Sequence, residues 1–254
     1  MNIELSNTYG KDYLQWKEWG KHCSFGELDE SQRAYYRAEL RNTKLELIRD
    51  VLEIGFGNGS FLAFCKENSW NTLGTEMNPE LVTLALERGF QAVDANRLVL
   101  AEAQSWDLIV AFDVLEHVDQ SKLIEMLVLI RQLLRPGGVF VARFPNGDSP
   151  LGLQLQHGDI THLTTLGSGK VEYFAKTLEY EIVSLRGAVQ PIFRDGFAST
   201  LRRLLIVPLK NVLELLIKKL FFPGTRVAFL SPSLVVCLRK PQRTPIASKA
   251  HIKL

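Results

Sequence analysis

Val51-Leu52-Glu53-Ile54-Gly55-Phe56-Gly57-Asn58-Gly59-Ser60 is the stretch that decides the fold. Val51 to Ile54 is a short apolar run of the kind that forms a buried strand, and Ser60 to Asn68 has the spacing of a helix. Between them stand Gly55, Gly57 and Gly59. Glycine lets a backbone turn sharply and come close to a ligand. The first turn of the following helix offers N–H groups that have no partner within the helix. A dinucleotide fingerprint would read G-x-G-x-x-G/A. Gly55 and Gly57 satisfy its first two places, but Ser60 holds the third, and Glu53 precedes the first glycine by two residues. That variant disfavours an NAD-dependent oxidoreductase.

Outward from this turn, strands and helices alternate. Asn71 to Glu76, Gln91 to Val93, Asp107 to Phe112 and Val139 to Phe144 read as strands. Pro79 to Glu87, Leu98 to Ala103 and Lys122 to Leu134 read as helices between them. Pro136-Gly137-Gly138 is expected to turn the chain into the last of these strands. Such alternation argues for βαβ units, a parallel sheet and right-handed crossovers. Lys11 to His22 and Ser31 to Ile48 read as helices ahead of the sheet. Beyond Pro145 the pattern changes: Asn146 to Gly169 is loop-like, Val171 to Thr177 helical, and Tyr180 to Leu185 and Leu234 to Leu238 are strands. The expected organisation is a helical cap over residues 1–50, a core over 51–186, a helical insertion over 187–232, a last strand over 233–240 and a flexible tail over 241–254.

The chain of 254 residues, 46% hydrophobic and 23% charged, has an ordinary globular composition. Its three cysteines are scattered, which fits reduced thiols better than disulfides or a metal knuckle, and no metal site is expected. Met1 to Gly20 lacks the basic and apolar run of a secretory signal, so a cytoplasmic location is expected. The net charge of +2 conceals an asymmetry: from Arg186 onward there are thirteen Lys and Arg against Asp195 and Glu214. A basic end hints at an anionic partner, without a clear nucleic-acid signal.

The E-x-G-x-G-x-G pattern of Glu53 to Gly59 resembles the first motif of class I S-adenosylmethionine-dependent methyltransferases. The resemblance continues through Glu76 at the end of the second strand and Asp94-Ala95 after the third. It extends to Asp113-Val114-Leu115-Glu116-His117-Val118 after the fourth, and to Leu133-Leu134-Arg135-Pro136-Gly137-Gly138 before the fifth. It implies an α/β fold with a Rossmann-like, mostly parallel seven-stranded sheet flanked by helices. It also implies S-adenosylmethionine as cofactor, S-adenosylhomocysteine as product, and cofactor contacts from Glu53, Gly55, Gly57, Gly59, Glu76, Met77, Asp94, Ala95 and Asp113. Glu76 would accept the ribose hydroxyls, and Asp94-Ala95 would meet the adenine edge. The bland alternatives are a solvated strand-end acid at Glu76 and a turn residue at Asp94. Glu116 is expected to face solvent.

For a hydroxyl acceptor a general base helps, typically by about 10²–10⁴-fold. His117 and His162 are the two candidates. His162 lies in Asp159-Ile160-Thr161-His162, similar to the D-x-x-H segment of a subgroup of small-molecule and glycan methyltransferases, with His157 nearby. Either histidine could instead staple a loop. The expected activity is O-methylation of a small molecule or glycan; the alternative is a cofactor-binding scaffold without turnover. Leu201 to Phe222 is apolar and basic at once, and Pro208 is expected to break or kink any helix through it. A pair of helices forming a lid, a homodimer interface, and an element lying on an anionic membrane surface all fit that segment.

Overall fold

Along the two central strands, successive side chains enter opposite apolar layers. These strands are β4 (Trp106–Phe112) and β5 (Leu134–Pro145). Ile109, Ala111, Phe140 and Ala142 face one layer; Leu108, Val110, Val139 and Val141 face the other. A strand buried on both faces reads as an unbroken apolar run, the mark of a parallel sheet covered by helices. The computed structural model describes residues 25–97, 104–189, 197–224 and 230–242. The helices expected over Lys11 to His22 and Leu98 to Ala103, and the tail beyond residue 242, lie outside the described residues.

The other strands are β1 (Asp50–Ile54), β2 (Asn71–Glu76), β3 (Ala92–Asp94), β6 (Glu181–Gly187) and β7 (Ser233–Arg239). They form a seven-stranded sheet in the order β3-β2-β1-β4-β5-β7-β6. β1 to β5 pair in parallel, and β7 is antiparallel to both β5 and β6. The order reverses between β1 and β4, so their carboxyl ends open a crevice of the kind in which ligands bind.

Helices α1 (Glu30–Arg41) and α2 (Ser60–Glu67) cover one face through Tyr36, Leu40, Phe61 and Phe64. Helix α3 (Pro79–Glu87) packs Leu81 and Ala85 beside β3. On the opposite face lie α4 (Gln120–Leu133) and, beyond the short α5 (Leu153–Gly158), α6 (Ser168–Thr177). Both bury Leu, Ile, Val and Phe in one continuous core. α1 starts at a reciprocal cap between Asp29 and Gln32. It stops at Arg41, and Leu47, expected on its apolar face, is exposed. α5 interrupts a region expected to be loop. Pro136, Gly137 and Gly138 lie inside β5, which follows α4 without a break, and not in a turn before it.

Around Pro208, where a break or a kink is expected, the chain forms one helix, α7 (Phe197–Phe221), that runs through the proline and not the pair of helices of the lid reading. Proline removes one N–H donor and crowds one carbonyl, while the flanking hydrogen bonds of a long helix remain available to carry it on. Val207, Lys210, Glu214, Ile217 and Lys218 form its less exposed side. Leu209, Val212, Leu213, Leu216 and Leu220 point outward, with Leu209 69% and Leu220 73% exposed. Glu214 accepts the Leu230 N–H at 2.6 Å on the protected side. An ordinary surface helix has the reverse arrangement. Among the described residues no helix is long and apolar enough to cross a membrane.

Candidate active site

A cavity of about 1220 Å³ opens at the carboxyl ends of β1, β2 and β4. One end of it is backbone. Gly55, at φ +69°, sits so close to the chain leaving β4 that a Cβ there would lie 2.6 Å from Val114 Cγ2. Gly55 and Phe56 donate to the Thr75 carbonyl at 2.7 and 3.3 Å, which fixes the turn to β2. Gly59 adopts the left-handed conformation that starts α2. At the end of β2, the Glu76 carboxylate accepts N–H groups from Gly57 at 3.2 Å, Met77 at 2.8 Å and Asn78 at 3.1 Å. Burial raises its carboxyl above the ordinary value, and those backbone donors oppose the rise.

Glu53 is 4% exposed, and its Oε2 accepts no hydrogen bond among the described residues. Burial, and then the charge of Glu76, push its carboxyl well above the usual range. A buried carboxylate oxygen lacking a donor costs free energy that a ligand carrying N–H or O–H groups, or a cation, recovers. The residues present therefore fit a ligand with a cationic group and hydroxyls, lying against a turn too tight for side chains.

The opposite end is side chain. Arg143 of β5 donates Nε to Asp113 Oδ1 at 2.9 Å and Nη2 to Oδ2 of the same carboxylate. Its guanidinium lies 5.2 Å from the Tyr35 ring centre and 5.5 Å from that of Phe112. Burial works against the Arg143 charge, but Asp113 outweighs it and the guanidinium stays protonated. Beside it Tyr36 shares a 2.7 Å hydrogen bond with Ser60, and burial pushes its phenol up to about 12.

His117 ends a short 3-10 turn, Leu115–His117. Its Nδ1 lies 2.9 Å from Thr161 Oγ1 and 3.2 Å from the Thr161 carbonyl, and Thr161 Oγ1 donates to Asp159 Oδ1 at 2.6 Å. His162 Nδ1 lies 3.2 Å from the Gln156 carbonyl. The two imidazoles meet edge to face, with centres 4.6 Å apart. The Glu116 carbonyl accepts the N–H groups of Leu163 and Thr164 at 2.8 and 2.9 Å, fastening the loop beyond β5 to the end of β4.

Glu53, Gly55, Gly57, Glu76, Met77, Ala95, Asp113, His117 and His162 all line this cavity. Gly59 and Asp94 do not: Gly59 lies behind the wall at the head of α2, and Asp94 Oδ1 accepts the Asn96 N–H in a local turn. His157 is exposed and outside the wall. Glu116 overturns its expectation, being 1% exposed with an Oε2 that accepts no hydrogen bond among the described residues. The turn that carries it is 3-10, so it points into the cavity, where burial and then Asp113 push its carboxyl well up. Tyr35, Tyr36 and Arg143 were not anticipated. The one signal was an arginine inside the apolar run Val139 to Phe144.

Residues 28–179 match the family described as "Methyltransferase domain". Among solved structures, a SAM-dependent methyltransferase from Archaeoglobus fulgidus superimposes with a TM-score of 0.61 at 20% identity, over 90% of this chain and 99% of that one. A possible histamine N-methyltransferase from Thermotoga maritima gives 0.54 at 16% identity, over 90% and 94%. The 1,6-didemethyltoxoflavin-N1-methyltransferase of Burkholderia thailandensis, solved with 1,6-didemethyltoxoflavin and S-adenosylhomocysteine, gives 0.51 at 16% identity, over 84% and 80%. These likenesses establish the fold. No curated protein sequence matches the chain.

Proposed function

The chain belongs to the methyltransferase domain family, and we propose that it uses S-adenosylmethionine to methylate a hydroxyl oxygen of a small molecule or glycan. The observation that carries this reading is the pair of histidines, His117 and His162, in the same cavity as the glycine cradle. The donor supplies an electrophilic methyl carbon on sulfonium. Gly55, Gly57 and Gly59 shape the turn against which it lies, Glu76 receives the ribose hydroxyls, Met77 and Ala95 flank the adenine, with Asp94 shaping the turn behind them, and Glu53 gains the donor its Oε2 lacks. Asp113, held by Arg143, borders the junction between donor and acceptor.

Direct transfer needs the acceptor oxygen in line with the methyl carbon and water kept out, and such alignment alone contributes many orders of magnitude. With its Nδ1 proton directed at the Thr161 oxygens, His117 holds its lone pair on Nε2, where it takes a hydroxyl proton. His162, with Nδ1 towards Gln156, presents Nε2 in the same way. With the cofactor bound, the acceptor oxygen would bond to its methyl carbon as the carbon–sulfur bond broke, the electron pair staying on sulfur. A screen of hydroxyl-bearing acceptors with methyl-labelled donor is expected to yield labelled ethers. Label found only on amine nitrogen would overturn the oxygen assignment, and donor binding without any transfer would favour the scaffold alternative.

The outward apolar stripe of α7 supports a second element of this function, placement on an anionic membrane surface near membrane-borne glycans. Leu209, Val212, Leu213, Leu216 and Leu220 form the apolar side, and exposed Lys219 meets headgroups. None of the described α7 residues lines the cavity, which weighs against a lid. Sedimentation with anionic vesicles at low salt tests the placement. Protein that stays in the supernatant as a dimer would assign the stripe to a second copy instead.

A further inference from the structure

Glu116, His117 and His162 each offer a ligand atom, and these atoms lie within 4.8 Å of one another at the acceptor end of the cavity. Bonds of about 2.0–2.2 Å to one ion would set neighbouring ligand atoms about 3–3.5 Å apart. Closing the remaining gap requires these side chains to rotate towards the ion. The Glu116 side chain is 2% exposed, and its Oε2 accepts no hydrogen bond among the described residues. His162 Nε2 lies 4.0 Å from Glu116 Oε1 and 3.7 Å from Asp159 Oδ2. Asp159 and Thr161 orient His117 through its Nδ1, the arrangement that fixes the tautomer of a metal-binding imidazole.

We propose that Glu116, His117 and His162 bind a divalent transition-metal cation, and that the methyl acceptor presents its oxygen to that cation. Two imidazoles and one carboxylate suit Mn²⁺, Fe²⁺ or Zn²⁺ better than they suit the all-oxygen preference of Ca²⁺. With three protein ligands, an ion that takes five or six keeps adjacent positions open towards the cavity. The matching acceptor carries two neighbouring oxygens, as a vicinal diol of a sugar does. Coordination lowers the pKa of the hydroxyl, as it does for metal-bound water. With their remaining imidazole lone pairs on the cation, His117 and His162 hold the ion and do not act as the base, so the hydroxyl proton passes to cavity water, the oxygen bonds to the methyl carbon, and the sulfur keeps the electron pair of the broken bond. The part concerning the acceptor rests on the hydroxyl reading above; the cation site does not.

The test titrates the chelator-treated full chain with MnCl₂, reading free Mn²⁺ by electron paramagnetic resonance. Wild type is expected to take up one equivalent, and Glu116→Gln and His162→Ala to bind at least tenfold more weakly, with unchanged circular dichroism. Should Glu116→Gln fail to fold, His162→Gln carries the same comparison. No uptake by wild type, or equal uptake by a folded variant, overturns the site. Calorimetry with S-adenosylmethionine on the same metal-free protein reads the donor end alone, so its failure would count against the donor assignment and not against the cation. Once an acceptor is known, Mn²⁺ is expected to restore turnover of the metal-free enzyme at least tenfold, and unchanged turnover overturns the coordination of the acceptor.

Discussion

The two ends of the cavity are built in opposite ways. The end at the glycine turn comes mainly from Glu53 to Met77, with Ala95 added from beyond β3, and works through backbone: a turn without side chains and a carboxylate held by three N–H groups. The histidine end draws on α1 (Tyr35), the exit of β4 (Asp113 to His117), β5 (Arg143) and the loop carrying Asp159 to His162. It works through side chains that bond across more than forty positions, as His117 does with Thr161. A contiguous backbone cradle is hard to alter without losing the ligand. A wall assembled from distant side chains can change its guest while the cradle stays intact.

The sharpest way to break this division is at Gly55. Valine there would drive Cβ to within 2.6 Å of Val114 Cγ2 and occupy a positive φ. Gly55→Val is expected to abolish adenosylmethionine binding by calorimetry, with affinity down at least about 100-fold, while far-ultraviolet circular dichroism is retained. At the other end, His117→Ala is expected to lower turnover by about 10²-fold and to leave donor affinity within twofold. A matching loss of donor affinity would mean that the two ends are one unit.

Glu76→Ala is a milder insult to the cradle. Hydrogen bonds to a charged group contribute about 1.5–3 kcal/mol each, so donor affinity is expected to fall at least about tenfold, measured at constant pH. Glu53 adds a pH signature. Its folded carboxyl lies above the ordinary value of 4.5, so folding favours the protonated form. That contribution is present below about pH 4.5 and is lost as pH rises through the elevated value. Relative to Glu53→Gln, the wild-type melting temperature is expected to fall with rising pH, about 2–4 °C for each kcal/mol lost. A flat difference between the two proteins would remove Glu53 from the account. The smallest effect concerns α7: Leu209→Ser with Leu216→Ser is expected to weaken vesicle binding yet keep turnover on a water-soluble acceptor within twofold. A larger loss of turnover would place the helix in the catalytic unit.

What could be read from sequence follows the same division. Val51 to Gly59 and Glu76 were legible because strand, turn and helix are short-range, and each glycine answers a local steric demand. Glu116, expected to face solvent, is buried because its direction is set by the 3-10 turn Leu115–His117 at the packed exit of β4. Arg143 was missed because its partners, Asp113 and Tyr35, are adjacent only once β4, β5 and α1 are packed. α7 departs from one expectation, in that Pro208 does not break it, and its outward apolar side fits the dimer and membrane-surface readings better than the lid. Periodicity reports that a stripe exists; which way it points depends on what else is present.

The position of β7 has a consequence for how the molecule is made. This strand is hydrogen-bonded between β5 and β6, and Leu234 to Leu238 are buried. While the ribosome is still translating residues up to about 232, β5 has a naked edge along Val139 to Phe144, and β6 has no neighbour at all. The Rossmann half can form early from short-range contacts, but the sheet stays open to foreign strands until its last member slides into the slot. Closing that slot joins segments almost a hundred positions apart, a slow kind of encounter. The nascent chain is thus most vulnerable to aggregation after the glycine turn and its flanking strands are already complete.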